Sequence, residues 1–202
     1  MTIEKKFWNR KYAEGGISGR GSIGKYRTWK WVKIRDVIGN FREVIDVGCG
    51  DLKFWEHPVA NKILNQRRFK YLGIDISDEI ITRNRKFAPN LKFICAPSHE
   101  RIPEKAEVVL ALDLLFHIMD QGNFEETLDQ LCKASKQWIV IYSWQKNPFE
   151  KDYTVTDGKS QYFRKLNDYT HIFNKHEFRL KDFYRVPYDP YGVLYFMKRV
   201  IY

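Results

Sequence analysis

Four groups of residues in this chain have the types and spacing to hold a polar ligand. The first is Asp46-Val47-Gly48-Cys49-Gly50-Asp51, where two glycines let the backbone turn sharply and approach a ligand closer than any Cβ would allow. The second is Asp75, 25 residues after Gly50, an acid able to accept both hydroxyls of a ribose. The third is Ala96-Pro97-Ser98, expected at the height of an adenine ring. The fourth is Asp113 with His117 four residues on, a spacing that puts both on one face of a helical turn. A GxG or a lone acid is common; all four together specify an adenosine-containing ligand.

Each group follows a short apolar run that reads as a buried strand: Val44–Val47, Tyr71–Ile76, Leu91–Cys95 and Val108–Leu112. Trp138–Tyr142 is a fifth strand, Val193–Val200 a late one, and Phe183–Val186 its antiparallel edge. Helical patterns alternate with them. One spans Tyr26–Ile38, with Trp31, Ile34, Val37 and Ile38 on one face and Gly39-Asn40 as its stop. Another is capped by Ser77, carries Asp78 and Glu79 in its first turn and ends before Pro89. A third starts on a capping-box-like pair, Asn123 and Glu126, and buries Phe124, Leu128, Leu131 and Cys132. This alternation predicts an α/β, Rossmann-like doubly wound fold with a mostly parallel sheet. Ligands of such sheets bind beyond the carboxyl ends of the strands, where all four groups lie.

A dinucleotide fingerprint would carry a third glycine three residues after Gly50, where this chain has Lys53. Asp46, two residues before Gly48, suits a cationic ligand with an α-amino group better than a pyrophosphate. The pattern therefore favours S-adenosylmethionine, with S-adenosylhomocysteine as its product, over a nicotinamide cofactor.

The 202 residues suit one domain, and 44% hydrophobic and 16% aromatic content is far above that of a disordered chain. Cys49, Cys95 and Cys132 are isolated, which argues against a disulfide framework or a metal site and for a reduced, cytoplasmic setting. No run approaches the roughly 18 apolar residues of a membrane span, and the N-terminus lacks the apolar core of a signal peptide. The net charge of +10 raises the prospect of a polyanionic partner such as nucleic acid, although a lysine-rich surface explains it equally.

At VIDVGCGD (Val44–Asp51), YLGIDIS (Tyr71–Ser77) and VVLALDLLFHI (Val108–Ile118) the chain resembles class I S-adenosylmethionine-dependent methyltransferases. The resemblance runs from about Phe7 onward and implies a seven-stranded sheet with an antiparallel last strand. It also implies Gly48, Cys49 and Gly50 around the methionine part, Asp75 on the ribose and Ile76 against the adenine. The segment WNRKYAEGGISGRGSIGKYRTWK is similar to the N-terminal extension of a subgroup often associated with glycan modification. There a glycine/serine loop and the next helix, with a Lys where Lys30 stands, close over the cofactor. Residues 1–40 are accordingly expected to cap the site. That family usually has an acid after the third strand for the adenine amino group; this chain has Ala96-Pro97-Ser98-His99, so Ser98 must serve.

Methyl transfer from a sulfonium is an in-line displacement, in which positioning matters most and a base only where the acceptor must lose a proton. Asp113 and His117 are the candidate catalytic residues. The alternatives are a cap of the next turn for Asp113 and a packed histidine bonded to a carbonyl for His117. His99 is expected in a loop, and His171 and His176 in solvent. Residues 143–164, with Trp144, Tyr153, Tyr162, Phe163 and Arg164, are the expected acceptor lid. The expected acceptor is a small molecule or a glycan precursor. An RNA or DNA methyltransferase and a non-catalytic cofactor-binding scaffold are the other readings.

Overall fold

The computed structural model describes residues 1–144, 155, 156 and 161–200. Helix α1 (Ile3–Ala13) leads through a 3-10 turn at Arg20–Ser22 into α2 (Gly24–Ile38). Then come β1 (Glu43–Val47), a 3-10 turn at Lys53–Glu56, α3 (Pro58–Leu64), β2 (Lys70–Asp75), α4 (Asp78–Phe87), β3 (Lys92–Cys95) and β4 (Ala106–Leu112). A turn at Leu115–His117 precedes α5 (Gln121–Ala134) and β5 (Ser135–Trp144). A short ribbon, β6 (Val155–Thr156) with β7 (Tyr162–Phe163), is followed by α6 (Thr170–Lys175), β8 (Phe178–Arg185) and β9 (Gly192–Arg199).

The main sheet has seven strands in the order β3-β2-β1-β4-β5-β9-β8. The first five are parallel, and β9 runs antiparallel to both its neighbours. The expected fold, with its antiparallel last strand, is what the chain forms. Alternate residues divide each central strand between two cores. Val44, Tyr71, Val108, Leu110 and Val140 pack beneath α2 and α4, and Ile45, Val47, Leu72, Val109 and Ile139 beneath α5 and α6. Neighbours β2 and β4 flank β1, so the strand order reverses beside the Gly48 turn, where the cleft opens. No helix among the described residues is long and apolar enough to cross a membrane.

Three local readings need revision. Helix α5 starts before the Asn123–Glu126 pair: Asp120 caps it, accepting from Asn123 N at 2.8 Å, and a short acceptor before the first free N–H wins the cap. Strand β8 begins five residues before the expected Phe183, because pairing with β9 orders polar residues that carry no strand pattern. His176, expected in solvent, lies 2.6 Å from Asp129 Oδ1 and ties α6 to α5. His171 is exposed, as expected.

Candidate functional site

The glycine turn is held from three sides. Gly48 and Gly50 have φ of 77° and 51°, which a residue with a Cβ adopts only with strain. Gly48 N and Cys49 N both donate to Ile74 O, at 2.7 and 3.0 Å, which binds the turn to β2. Asn84 on α4, buried, donates to Gly50 O at 2.7 Å. A Cβ at Gly50 would lie 2.0 Å from Ser18 Oγ, so the N-terminal loop rests directly on the turn. Ser18 is fixed there by Asp51, to which its N and Oγ donate at 3.1 and 2.7 Å.

Asp46 turns away from the cleft. Its Oδ2 accepts from Trp55 Nε1 at 2.7 Å and Tyr71 OH at 3.2 Å, inside an aromatic block that Trp31 and Phe54 complete by stacking at 4.6 Å. Burial pushes the carboxyl up to about 6. The even residues of β1 face the α2 side, and alternation carries Asp46 with them into the core. Cys49 is likewise buried against the core, where burial pushes its thiol well up, whereas Gly48 borders the cleft.

Asp75 forms the floor. Gly50 N donates to its Oδ2 at 3.0 Å and Ser77 N to its Oδ1 at 2.9 Å, and the residue borders the cleft. Burial pushes it up to about 6, against hydrogen bonds from the backbone of Ser77, Gly50 and Ile76. Ile76 and Ser98 line the same end. Thr127 donates to Asn123 O at 2.7 Å, so the 2.9 Å bond between Ser98 Oγ and Thr127 Oγ1 must be donated by Ser98. The Ser98 hydroxyl is thereby left with only lone pairs to offer, on a residue that borders the cleft.

Helix α1 roofs the cleft, within the segment 1–40 expected to cap it. Glu4, Trp8 and Tyr12, four apart and hence on one stripe, all border it. The neighbouring stripe anchors the helix: Lys5 pairs with Asp78 at 2.9 Å, and Asn9 Oδ1 accepts from Ser77 Oγ at 2.7 Å. Arg83 donates to Tyr12 O at 2.8 Å. Trp8 meets His117 edge to face at 5.0 Å, closing one end. The i+4 repeat was present in the sequence, but a helix polar on most sides gives no sign of which stripe is inward.

Lys30 does not border the cleft. It is fully buried, its ammonium paired with the Asp113 carboxylate and 3.6 Å from the centre of the Tyr142 ring. Burial pulls Lys30 below its ordinary value, and the Asp113 carboxylate opposes that shift. Asp113 itself, at φ 58°, borders the cleft, and a Cβ on Gly21 would stand 2.2 Å from Asp113 Oδ1. The carboxylate is thus clamped between the loop and a buried cation, an arrangement suited to closing the N-terminal segment and poor for proton abstraction. His117 borders the cleft beyond it.

Arg164, expected in the acceptor lid, is largely buried. It donates to Ile118 O at 2.7 Å, Met119 O at 3.0 Å and Gln121 at 3.0 Å, and its guanidinium lies over Phe124 and Tyr162. It pins the segment after β5 to the turn that carries His117. Trp144 stacks on Phe163 with centroids 5.8 Å apart, and Phe116 lies 5.9 Å from Trp144, so an aromatic wall continues outward from His117. Tyr153 and most of the remaining lid lie outside the described residues.

No family model matches this chain, and no curated sequence does. Solved structures do. Magnesium protoporphyrin IX methyltransferase from Synechocystis PCC 6803, with bound SAH, superimposes with a TM-score of 0.70 at 15% identity, over 98% of this chain and 99% of that one. A 1,6-didemethyltoxoflavin-N1-methyltransferase from Burkholderia thailandensis, with S-adenosylhomocysteine, gives 0.70 at 12% identity over 98% and 87%. The 4+2 cyclase SpnF gives 0.66 at 10% identity over 96% and 94%. These likenesses establish the fold. Because a cyclase shares it, function must be argued from the site.

Proposed function

We propose that the chain is an S-adenosylmethionine-dependent methyltransferase acting on a small-molecule acceptor. The observation that carries this reading is Asp75: a buried acid at the switch point, held by the backbone N–H groups of Gly50 and Ser77, on a residue that borders the cleft. A vicinal diol supplies the two O–H donors such a carboxylate lacks. Gly48 offers the open turn a methionine moiety needs, and Ile76, Pro97 and Ser98 offer an apolar slot with one acceptor, suited to a purine.

Bound there, S-adenosylmethionine supplies a sulfonium-activated methyl group. Residues 1–40 then cap the site through Trp8, Tyr12 and Ser18. Lys30 and Asp46 act from behind it, Lys30 by holding Asp113 and Asp46 by fixing β1 through Trp55 and Tyr71. His117, which borders the cleft, is the candidate to take a proton from an acceptor that must lose one. The aromatic wall beside it, Phe116, Trp144 and Phe163, favours an acceptor with a flat apolar part over a glycan. A nucleic-acid acceptor is the second reading, on the net charge of +10 alone, and salt-dependent retention on nucleic acid would reveal it.

Calorimetric titration with S-adenosylhomocysteine tests the central point. Micromolar binding is expected, about −8 kcal/mol, together with a rise in Tm. A titration with neither heat nor thermal shift overturns it.

A further inference from the structure

We propose that Glu4 is a binding residue of this site and that, with Ser98, it selects a ligand base bearing an exocyclic amino group. The assignment rests on the donor-site reading above and names one contact within it.

Three observations converge. Glu4 lies on the α1 stripe that borders the cleft, and its neighbour Lys5 reaches Asp78 at 3.0 Å and Cys95 Sγ, at the end of β3, at 3.9 Å. The first turn of α1 therefore stands over the β3 end of the cleft, whose lip is Ala96, Pro97 and Ser98. Secondly, the other acidic groups on the cleft are engaged: Asp75 by Gly50 N and Ser77 N, and Asp113 by Lys30. The Glu4 carboxylate has no hydrogen bond or ion pair with any other described residue. Lys5, the cation next to it, is committed to Asp78. Thirdly, the Ser98 hydroxyl spends its proton on Thr127 and presents only lone pairs.

Two acceptors at one end of a cleft are complementary to a group with two hydrogens on one atom, as in a 6-aminopurine. A 6-oxopurine turns a carbonyl toward them and keeps a single donor on that edge, N1–H, so it satisfies at most one of the two acceptors. The acid comes from a helix more than ninety residues before Ser98 in sequence, so no motif around β3 could contain it.

The test compares S-adenosylhomocysteine with S-inosylhomocysteine, which differ in the 6-substituent and in the proton the oxo form carries on N1, on wild type, Glu4→Ala and Glu4→Gln. Wild type is expected to prefer the amino compound by about tenfold or more, the worth of a charge-assisted hydrogen bond. Glu4→Ala should weaken S-adenosylhomocysteine by a similar factor and S-inosylhomocysteine much less, so that the preference collapses. Glu4→Gln, whose amide both donates and accepts, should bind the two ligands about equally. Equal weakening of both ligands by Glu4→Ala would mean that Glu4 merely supports α1, and an unchanged preference would mean that it touches neither; each overturns the assignment. Should wild type bind neither compound, the donor-site reading fails first and this contact with it. Binding of both with equal affinity by wild type would sink the Glu4 assignment alone.

Discussion

Replacing Asp113 by alanine is expected to destabilise the folded chain by about 3–5 kcal/mol, the usual cost of stripping the partner from a buried charge. Lys30 is at 0% exposure, and its ammonium has the Asp113 carboxylate on one side and the Tyr142 ring on the other. Without the carboxylate the cation keeps its desolvation cost and only the weaker attraction of the ring. Urea unfolding measures the loss, and the double variant Lys30→Met with Asp113→Ala should recover most of it. Asp113→Asn separates charge from backbone strain, since asparagine tolerates the φ of 58° better than alanine. The pH dependence has a definite sign. Burial lowers Lys30 in the folded state, and removal of Asp113 lowers it further. Between that lowered value and the ordinary 10.5 the unfolded chain binds more protons, so stability rises with pH across this window. The deficit of Asp113→Asn should therefore be greatest near neutrality and shrink toward about pH 10. A deficit independent of pH, or a double variant no more stable than Asp113→Ala, would contradict this account of the pair.

Asp75→Ala is expected to weaken S-adenosylhomocysteine by about 1.5–3 kcal/mol, tenfold or more, through loss of charge-assisted bonds to the ribose hydroxyls. Part of that loss is indirect, because Asp75 also orders the turn through Gly50 N. Asp75→Asn, which keeps an acceptor oxygen, should fall between. Burial pushes the Asp75 carboxyl up to about 6, and only its ionised form accepts from both hydroxyls while keeping its backbone bonds. Affinity should accordingly decline as pH drops through about 6 in wild type, and the alanine variant should lose that component. Burial of this raised carboxyl costs folding stability above about pH 6, where the folded group must ionise away from water, and the cost vanishes as pH falls toward the unfolded value. Ligand affinity and protein stability thus respond to Asp75 with opposite sign, and calorimetry and thermal melts over the same pH range should separate them.

The sequence by itself determined the sheet and the line of the cleft. Runs such as Val44–Val47 and Val108–Leu112 are short, β-branched and bounded by glycine or acid, and their spacing admits only crossover helices between parallel strands. Strand ends then fall on one edge by geometry, so Gly48, Asp75, Ser98, Asp113 and His117 meet at one cleft although up to 69 residues separate them. Only the tertiary structure decided which way the charged side chains turn. Asp46 belongs to the same motif as Gly48 but faces Trp55 and Tyr71, and Arg164 reads as a lid residue but ties loop to loop. Lys30 reaches Asp113 across 83 residues, and the roof of Glu4, Trp8 and Tyr12 comes from the chain's first turns. The physical reason is range. A strand is announced by its own few residues, because burial on both faces demands an apolar run. A polar side chain's partner is fixed by how whole helices pack, and α1, whose polar residues lie on several sides, leaves its inward stripe to be chosen by the anchors Asp78, Ser77 and Arg83 that await it on α4.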